Sequence, residues 1–419
     1  MRTDIIWVAT GQFIALLVGL ISLKIFTHFF TAEQYAYLAL LTASSAWIWM
    51  GIYQPLNQTL FRFYPVAEKQ GWQIQFAAIV FNYQRKLIAL VLGLLALALL
   101  MANWFNQALD FQLLITLAVI MGISYGYVHG IISFYLSQRK RKPVTIIQSF
   151  DGLFRLAGGL IGYYYFSQSE YVTAVGMVTA GVVFLILILK YIDLSELRSD
   201  IATIRTIQDE YSDMFNQYFK KIFLIMLLNA SVIHLDKWLL LLLIGYEGLG
   251  SYAVIYFLAM TFASVLYFFF EMLGFPIIFK QETRQQRRRS LLLLVTAYSV
   301  VLIGIVSIVF LAGRSILVFL TTEHIAAEYE SFTLLIAACG LLNLGRLLMV
   351  EGQVAKQPSR YWPAYLILLV CFIIWCLLFV NPASGGLAAA LGFLIATVMF
   401  VVVTVLLNRK SIDGQKCES

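Results

Sequence analysis

Apolar stretches of about 20 residues or more follow one another along almost the whole chain, the length that a helix needs to cross the hydrocarbon core of a bilayer. They lie near 5–30, 38–61, 84–102, 111–136, 144–166, 171–192, 219–245, 250–279, 290–320, 329–352, 361–381 and 385–407. The pattern predicts an all-α integral membrane protein with twelve transmembrane helices.

Lysine and arginine fall almost entirely in every second connection between these stretches. The odd-numbered connections near 28–37, 103–110, 245–250 and 381–386 contain none, whereas the even-numbered ones carry runs such as 139–142. Positive residues stay on the cytoplasmic side of a membrane. We therefore expect both termini to be cytoplasmic.

Composition agrees, since 61% of the residues are hydrophobic and only 12% are charged, which excludes an ordinary soluble domain. The net charge of +7 follows from the bias of positive residues toward the cytoplasmic side and their contact with anionic membrane lipids. A nucleic-acid partner is not needed to explain it.

The connections expected to face outward are short, about ten residues at most, so they leave no room for an external catalytic domain. Hydrolase, zinc-protease and P-loop motifs are missing, and the four histidines are scattered at His28, His129, His234 and His324. The four cysteines lack the spacing of metal ligands. We predict a protein that is not an enzyme and has no catalytic residue, metal or resident cofactor.

One long polar connection, 193–218, divides the chain into two six-helix lobes, 1–192 and 219–408, followed by a cytoplasmic tail at 409–419. Its apolar residues recur three or four apart: Leu194, Leu197, Ile201, Ile204, Ile207 and Tyr211. This spacing predicts an amphipathic helix at the inner interface, with partner binding as an alternative.

A weak internal repeat links the two halves at an offset of about 214 residues, which places 31–38 on 245–252 with Glu33 on Glu247. Chance similarity between two hydrophobic sequences is the alternative. A true repeat with six spans in each copy predicts lobes related by an axis along the membrane normal, around a central cavity.

Ionisable residues inside the predicted spans are the main candidates for function, because an ionised side chain near the midplane costs at least ~2.5 kcal/mol. The candidate substrate-binding cations are Lys24, Arg155, Lys237, Arg314 and Arg346; the candidate charge partners or ion-coupling groups are Asp151, Asp236, Glu271 and His129. A cationic interior favours a substrate with phosphate or carboxylate groups.

Asp151 and Arg155 are four residues apart, so they can pair on one helix face, and Arg155 can serve either helix packing or the cavity. Asp236 and Lys237 are adjacent, which predicts side chains that diverge by roughly 100° and cannot face the same point.

Arg314 and Arg346 have no acidic residue three or four positions away in their own spans. Each therefore needs an anionic ligand or a carboxylate on another helix. Snorkelling to the membrane surface is the alternative, above all for Arg314. A buried carboxylate such as Glu271 could couple transport to a proton gradient, and a sodium gradient is the other candidate.

Glycines recur on one face of two predicted helices, at Gly122, Gly126 and Gly130 and again at Gly158, Gly159 and Gly162. Such small residues let helices approach closely, and hinges are the alternative interpretation.

Two stretches resemble Wzx-type polysaccharide flippases. One is Leu235-Asp236-Lys237-Trp238 followed by an apolar run, Gly245 and Gly250-Ser251-Tyr252; the other is Thr31-Ala32-Glu33-Gln34-Tyr35-Ala36, in which that family usually has glycine at the position of Ala36. The larger group also contains multidrug exporters and the peptidoglycan-precursor flippase.

The resemblance implies a protein of the bacterial inner membrane that moves undecaprenyl-diphosphate-linked oligosaccharides from the cytoplasmic to the periplasmic leaflet, for O-antigen or capsule assembly. A polysaccharide polymerase and a chain-length regulator are the implied protein partners. An ion-coupled exporter of small molecules and a non-transporting component of envelope assembly are the alternatives.

Overall fold

The computed structural model describes residues 2–104, 109–191, 201–281, 283–354, 357–382 and 384–414. Within these ranges every element is a helix and no strand occurs. The predicted all-α class is confirmed.

The helices of the first half follow one another with short turns. They are α1 (Arg2–Phe29), α2 (Ala32–Ile48), α3 (Gln54–Lys69), α4 (Gln73–Trp104), α5 (Leu109–Ser137), α6 (Arg141–Ile161) and α7 (Glu170–Tyr191). A π-helix at Trp49–Tyr53 joins α2 to α3, and another at Gly162–Phe166 extends α6.

The second half contains α8 (Ile201–Lys280), α9 (Arg284–Leu320), the short α10 (Glu323–Ala326), α11 (Tyr329–Leu348), the short α12 (Val350–Val354), α13 (Trp362–Phe379) and α14 (Gly385–Gly414). The predicted connection at 193–218 is helical from Ile201 onward and runs directly into the next span. The predicted positions 193–200 lie outside the described residues.

Eleven of these helices are long and apolar enough to cross a membrane, and one of them, Tyr218–Met272, is 55 residues long. The helix is interrupted at Gly245, whose φ of 71° and ψ of −174° are not helical. The hydroxyl of Tyr252 lies 3.3 Å from the carboxylate of Asp236, although 16 residues of straight helix span about 24 Å. The chain therefore folds back at Gly245, and α8 supplies two spans, which makes twelve.

The predicted bounds of the second and third spans are too short. The second continues to Lys69 and the third begins at Gln73, so Arg62 and Lys69, which lie beyond the predicted second span, are also within a helix. An apolar pattern reports only the part of a helix in hydrocarbon, whereas hydrogen bonding continues into the polar boundary.

The chain divides into two compact units. Unit 1 comprises Met1–Gly19 and Tyr37–His234, and unit 2 comprises Leu20–Ala36 and Leu235–Ser419. Each has buried apolar residues of its own, such as Leu60 and Ile131 in unit 1 and Leu302 and Leu347 in unit 2. The predicted lobes at 1–192 and 219–408 and the cavity around which they lie stay a prediction.

Glycines of unit 1 stand where helices approach closely. A Cβ added at Gly126 would meet the ring of Tyr53, and one at Gly158 would meet the backbone carbonyl of Gly176. The absence of a side chain is what allows these contacts. The interpretation of these glycines as packing residues is confirmed.

Candidate functional site

An ion pair lies near the middle of a membrane span in unit 1. Asp151 and Arg155 are one turn apart on α6, and Nε of Arg155 donates to both carboxylate oxygens of Asp151 at 3.1 and 3.2 Å. Nη2 lies 3.1 Å from Oδ1, so the contact is bidentate. The predicted pairing is confirmed.

Three helices enclose the guanidinium of Arg155, which is 3% exposed. Nη2 also donates to Oγ of Ser124 at 3.1 Å, and the guanidinium carbon lies 3.7 Å from the ring centre of Tyr125, both on α5. Nη1 packs against Gly181 on α7. Arg155 thus packs among helices of unit 1, and its role in substrate binding stays a prediction.

Three half-buried rings lie beside this ion pair: Trp49, Tyr125 and His129, here called the aromatic layer. The rings of Trp49 and His129 stack with centroids 4.4 Å apart and planes 7° apart. Tyr125 is tilted by 39° against His129 at 6.3 Å. His129 therefore lies within an aromatic group, and the charges of Asp151 and Arg155 act on it from nearby.

The position of Trp49 follows from a local break in helix geometry. Pro55 has no N–H to donate to the carbonyl four residues earlier, and its ring crowds that carbonyl. The preceding turn widens into the π-helix, in which the N–H of Gln54 bonds the carbonyl of Trp49. Such π turns are frequent at functional sites.

A second ion pair lies in unit 2. It is on the first arm of α8, the part before Gly245; the part after Gly245 is the second arm. Nζ of Lys237 donates to both carboxylate oxygens of Asp236 at 2.8 and 3.0 Å, and both residues are buried. The prediction that these adjacent side chains cannot face the same point is wrong. Their Cβ atoms diverge, but the four-carbon stem of lysine is long enough to bring its ammonium group back.

Two tyrosines from the second arm of α8 close this pair. The hydroxyl of Tyr252 donates to Asp236, and the ring centre of Tyr256 lies 3.7 Å from Nζ of Lys237. The fold at Gly245 is what brings the two arms together. A buried ammonium next to a carboxylate and an aromatic face is well compensated for its lost hydration.

A third charged group in unit 2 contains Arg346 and Glu271. Nη1 of Arg346 donates to Oδ1 of Asn343 at 2.9 Å, both on α11. The hydroxyl of Tyr267 donates to Oε1 of Glu271 at 3.1 Å, and Arg346 is close enough for its charge to act on Glu271. Arg346 and Glu271 are both half-buried. Arg346 on α11 thus has a carboxylate nearby on another helix, that of Glu271 on α8, as one of the two predicted options required.

The two remaining predicted cations are exposed. Arg314 pairs with Glu323 on α10 at 2.9 Å, with 68% of each side chain exposed. Lys24 donates to the backbone carbonyl of Phe319 at 2.9 Å, next to the end of α9, where the helix dipole favours a positive charge. Arg314 therefore has the carboxylate that the sequence predicted as one of its two options.

The predicted residues thus form three separate groups: Asp151, Arg155 and His129 in unit 1, Asp236 with Lys237 in unit 2, and Glu271 with Arg346 in unit 2. In each group a cation has a carboxylate nearby, so the charge is balanced locally. The residues of these groups that were not predicted from the sequence are Trp49, Tyr125, Tyr252, Tyr256 and Tyr267. Pro55 within an apolar span was the one signal that pointed to Trp49.

Within the described ranges, no cluster of three or more histidine, cysteine, aspartate or glutamate side chains could hold a metal ion. The contacts of the charged residues are instead hydrogen bonds, ion pairs and aromatic faces. Such an arrangement can bind and release charged or polar molecules, and it offers no activated nucleophile among the pairs described above.

No protein-family model matches the sequence, and no curated protein matches it either. Solved structures do match. The lipid II flippase MurJ in an inward closed conformation has a TM-score of 0.69 at 15% identity, covering 98% of this chain and 88% of that one.

Two further structures match at similar levels. An inward-facing multidrug-resistance MATE transporter of the MOP superfamily has a TM-score of 0.62 at 12% identity, with 99% of each chain covered. A MOP-superfamily transporter from Pyrococcus furiosus, whose reversed binding-pocket polarity suggests a different function, has a TM-score of 0.64 at 12% identity, covering 99% and 96%. At this level of identity the similarity establishes only the fold, which this chain shares with these transporters.

Proposed function

We propose that this chain is a flippase that moves undecaprenyl-diphosphate-linked oligosaccharides from the cytoplasmic to the periplasmic leaflet of a bacterial inner membrane. The product would serve O-antigen or capsule assembly. The fold supports transport, since structures that share it include a lipid II flippase and multidrug transporters. The motifs around Asp236 and Thr31 support a polysaccharide precursor as the cargo.

The observation that carries the proposal is the position of Arg346. It is a half-buried guanidinium within a membrane span, oriented by its hydrogen bond to Asn343 and accompanied by Glu271. Arginine binds phosphate through planar, bidentate contacts. A diphosphate can replace a carboxylate partner without leaving the cation buried and uncompensated, so binding and release need not isolate a charge.

Transport would proceed by alternating access of two lobes, 1–192 and 219–408, around a central cavity. A substrate shifts such an equilibrium only by its difference in affinity for the two states. No bond in the substrate is made or broken, so the charged residues bind and release the diphosphate and do no chemistry on it.

The test compares surface polysaccharide and lipid-linked intermediates in a strain that lacks this protein, complemented with wild type or variants. Arg346→Ala should fail to restore surface polysaccharide and should leave lipid-linked units in the inner leaflet. Arg314→Ala is the matched control, because it removes an exposed arginine from the same unit, and it should complement fully. Unchanged surface polysaccharide in the deletion strain would overturn the proposal.

The second candidate is an ion-coupled exporter of small molecules. The local balance of cations and carboxylates in all three groups favours it, because a neutral interior does not exclude cationic drugs. Sensitivity of the deletion strain to several unrelated toxic compounds, with normal surface polysaccharide, would identify this function. A non-transporting role in envelope assembly predicts that the purified protein in vesicles transports neither lipid-linked oligosaccharides nor small toxic compounds.

A further inference from the structure

The aromatic layer of unit 1 carries three polar groups that have no hydrogen-bond partner among the described residues: the indole N–H of Trp49, the hydroxyl of Tyr125 and the imidazole of His129. All three side chains are half-buried, whereas their neighbours Ser124 and Val128 are buried. Moving a polar group without a hydrogen-bond partner from water into hydrocarbon costs roughly 2–7 kcal/mol. The layer therefore faces a polar environment at membrane depth.

We infer that the aromatic layer binds a sugar ring of the transported oligosaccharide. The inference rests on the proposed function and names residues that would contact the glycan part of that cargo. A pyranose has one face of C–H groups, which are slightly positive, and an edge of hydroxyls. Aromatic faces are slightly negative, so they stack on the first while the polar groups of the layer pair with the second.

The rings are already held in place before a ligand arrives. The guanidinium of Arg155 lies 3.7 Å from the ring centre of Tyr125, and Asp151 fixes that guanidinium through its bidentate contact. The parallel stack of Trp49 and His129 fixes the other two rings. Pre-organisation of this kind lowers the entropic cost of binding.

Other occupants fit the layer less well. A diphosphate would meet no net charge, because Asp151 neutralises Arg155 next to the rings. A second cation would find one face of Tyr125 already covered by the guanidinium of Arg155. An acyl chain would leave the three polar groups unpaired. A neutral ring with hydroxyls satisfies both the faces and the polar groups.

The π-helix gives the site a structural basis. Trp49 is the first residue of this widened turn, which lies between α2 and Pro55. The layer thus depends on a local distortion and on a neighbouring helix, α5, that supplies Tyr125 and His129 one turn apart.

The experiment compares two ligands that differ only in the sugar. Purified full-length protein is titrated with undecaprenyl diphosphate and with the lipid-linked oligosaccharide that accumulates in the deletion strain. Trp49→Leu should weaken binding of the sugar-bearing lipid on the order of tenfold, as expected for the loss of one aromatic contact. Binding of undecaprenyl diphosphate should stay unchanged.

Two control variants distinguish a loss of sugar binding from a folding defect. Trp49→Phe keeps an aromatic face and should retain most of the affinity for the sugar-bearing lipid. Trp362→Leu removes a half-exposed tryptophan from the start of α13 and should change neither affinity. Both should melt at the same temperature as the wild type.

The outcomes separate the two proposals. Equal binding of the sugar-bearing lipid by Trp49→Leu and wild type would overturn the sugar site alone, and so would an equal loss for both lipids. Failure of the wild type to bind either lipid, together with normal surface polysaccharide in the deletion strain, would overturn the flippase proposal and the sugar site with it.

Discussion

Lys237 turns its ammonium group back onto the carboxylate of the preceding residue, Asp236, with Nζ 2.8 and 3.0 Å from the two oxygens. Neighbours in a helix usually point in directions about 100° apart. Here the long lysine stem overcomes that divergence, and the face of Tyr256 supports the ammonium. The pair is therefore a self-contained neutral unit inside the span.

Removing one member of this pair should be far more harmful than removing both. Lys237→Met leaves a buried carboxylate, and Asp236→Asn leaves a buried ammonium, each at a cost of roughly 3–5 kcal/mol in unfolding free energy. The double variant should recover most of that loss. Thermal melting of the purified protein in detergent, arranged as a double-mutant cycle, measures the coupling. Simple addition of the two losses would mean that the two charges do not compensate each other.

Gly181→Ala should disturb Arg155 without changing any charge. An added Cβ would collide with Nη1 of Arg155, and moving that side chain breaks its contacts with Ser124 and Tyr125. Overpacking of this kind costs about 1–3 kcal/mol, which a lower melting temperature would reveal. Gly93→Ala, with open space around it, is the control and should be neutral or slightly stabilising. Equal melting of both variants would contradict the described packing.

Gly250→Ala should destabilise unit 2 locally. An added Cβ would meet the backbone carbonyl of Ala32, which cannot move as a flexible side chain can. We expect a loss of about 1–3 kcal/mol and faster proteolysis near residue 250. Gly304→Ala has nothing nearby and serves as the control. Wild-type resistance to protease in Gly250→Ala would show that the two segments do not approach this closely.

Glu271→Gln tests the predicted ion coupling. Glutamine keeps the shape and can still accept the hydrogen bond from Tyr267, but it cannot carry a proton. If a proton gradient drives transport, vesicles containing this variant should lose the stimulation by an imposed pH difference and still bind substrate. Tyr267→Phe, which leaves the carboxylate in place, should keep the stimulation. Stimulation of Glu271→Gln by the pH difference would exclude Glu271, and a response only to sodium would favour the other gradient.

Some of the candidate site could be predicted from spacing alone. Asp151 and Arg155 are four residues apart on one helix, and their pairing needs only helix geometry. The glycines that repeat every four residues likewise predicted close helix contacts. Both are local properties of a helix, so they do not depend on how distant parts of the chain pack.

Contacts between distant residues could not be predicted in this way. Arg314 was predicted either to face a ligand or to reach the membrane surface, and its partner Glu323, nine positions away on a short helix after the span, was not identified. Trp49 and His129 are eighty positions apart and meet only because α2, through its π-helix, packs against α5. No local rule relates such positions.

The sequence by itself determined the membrane class, the number of spans and the presence of charges within them. These follow from the lengths of apolar stretches and from the high cost of placing polar backbone and ionised groups in hydrocarbon. The tertiary structure decided which charges are buried, which carboxylate each cation contacts and which rings lie together. Those outcomes depend on side-chain reach and on helix packing across long separations, which a linear pattern does not record.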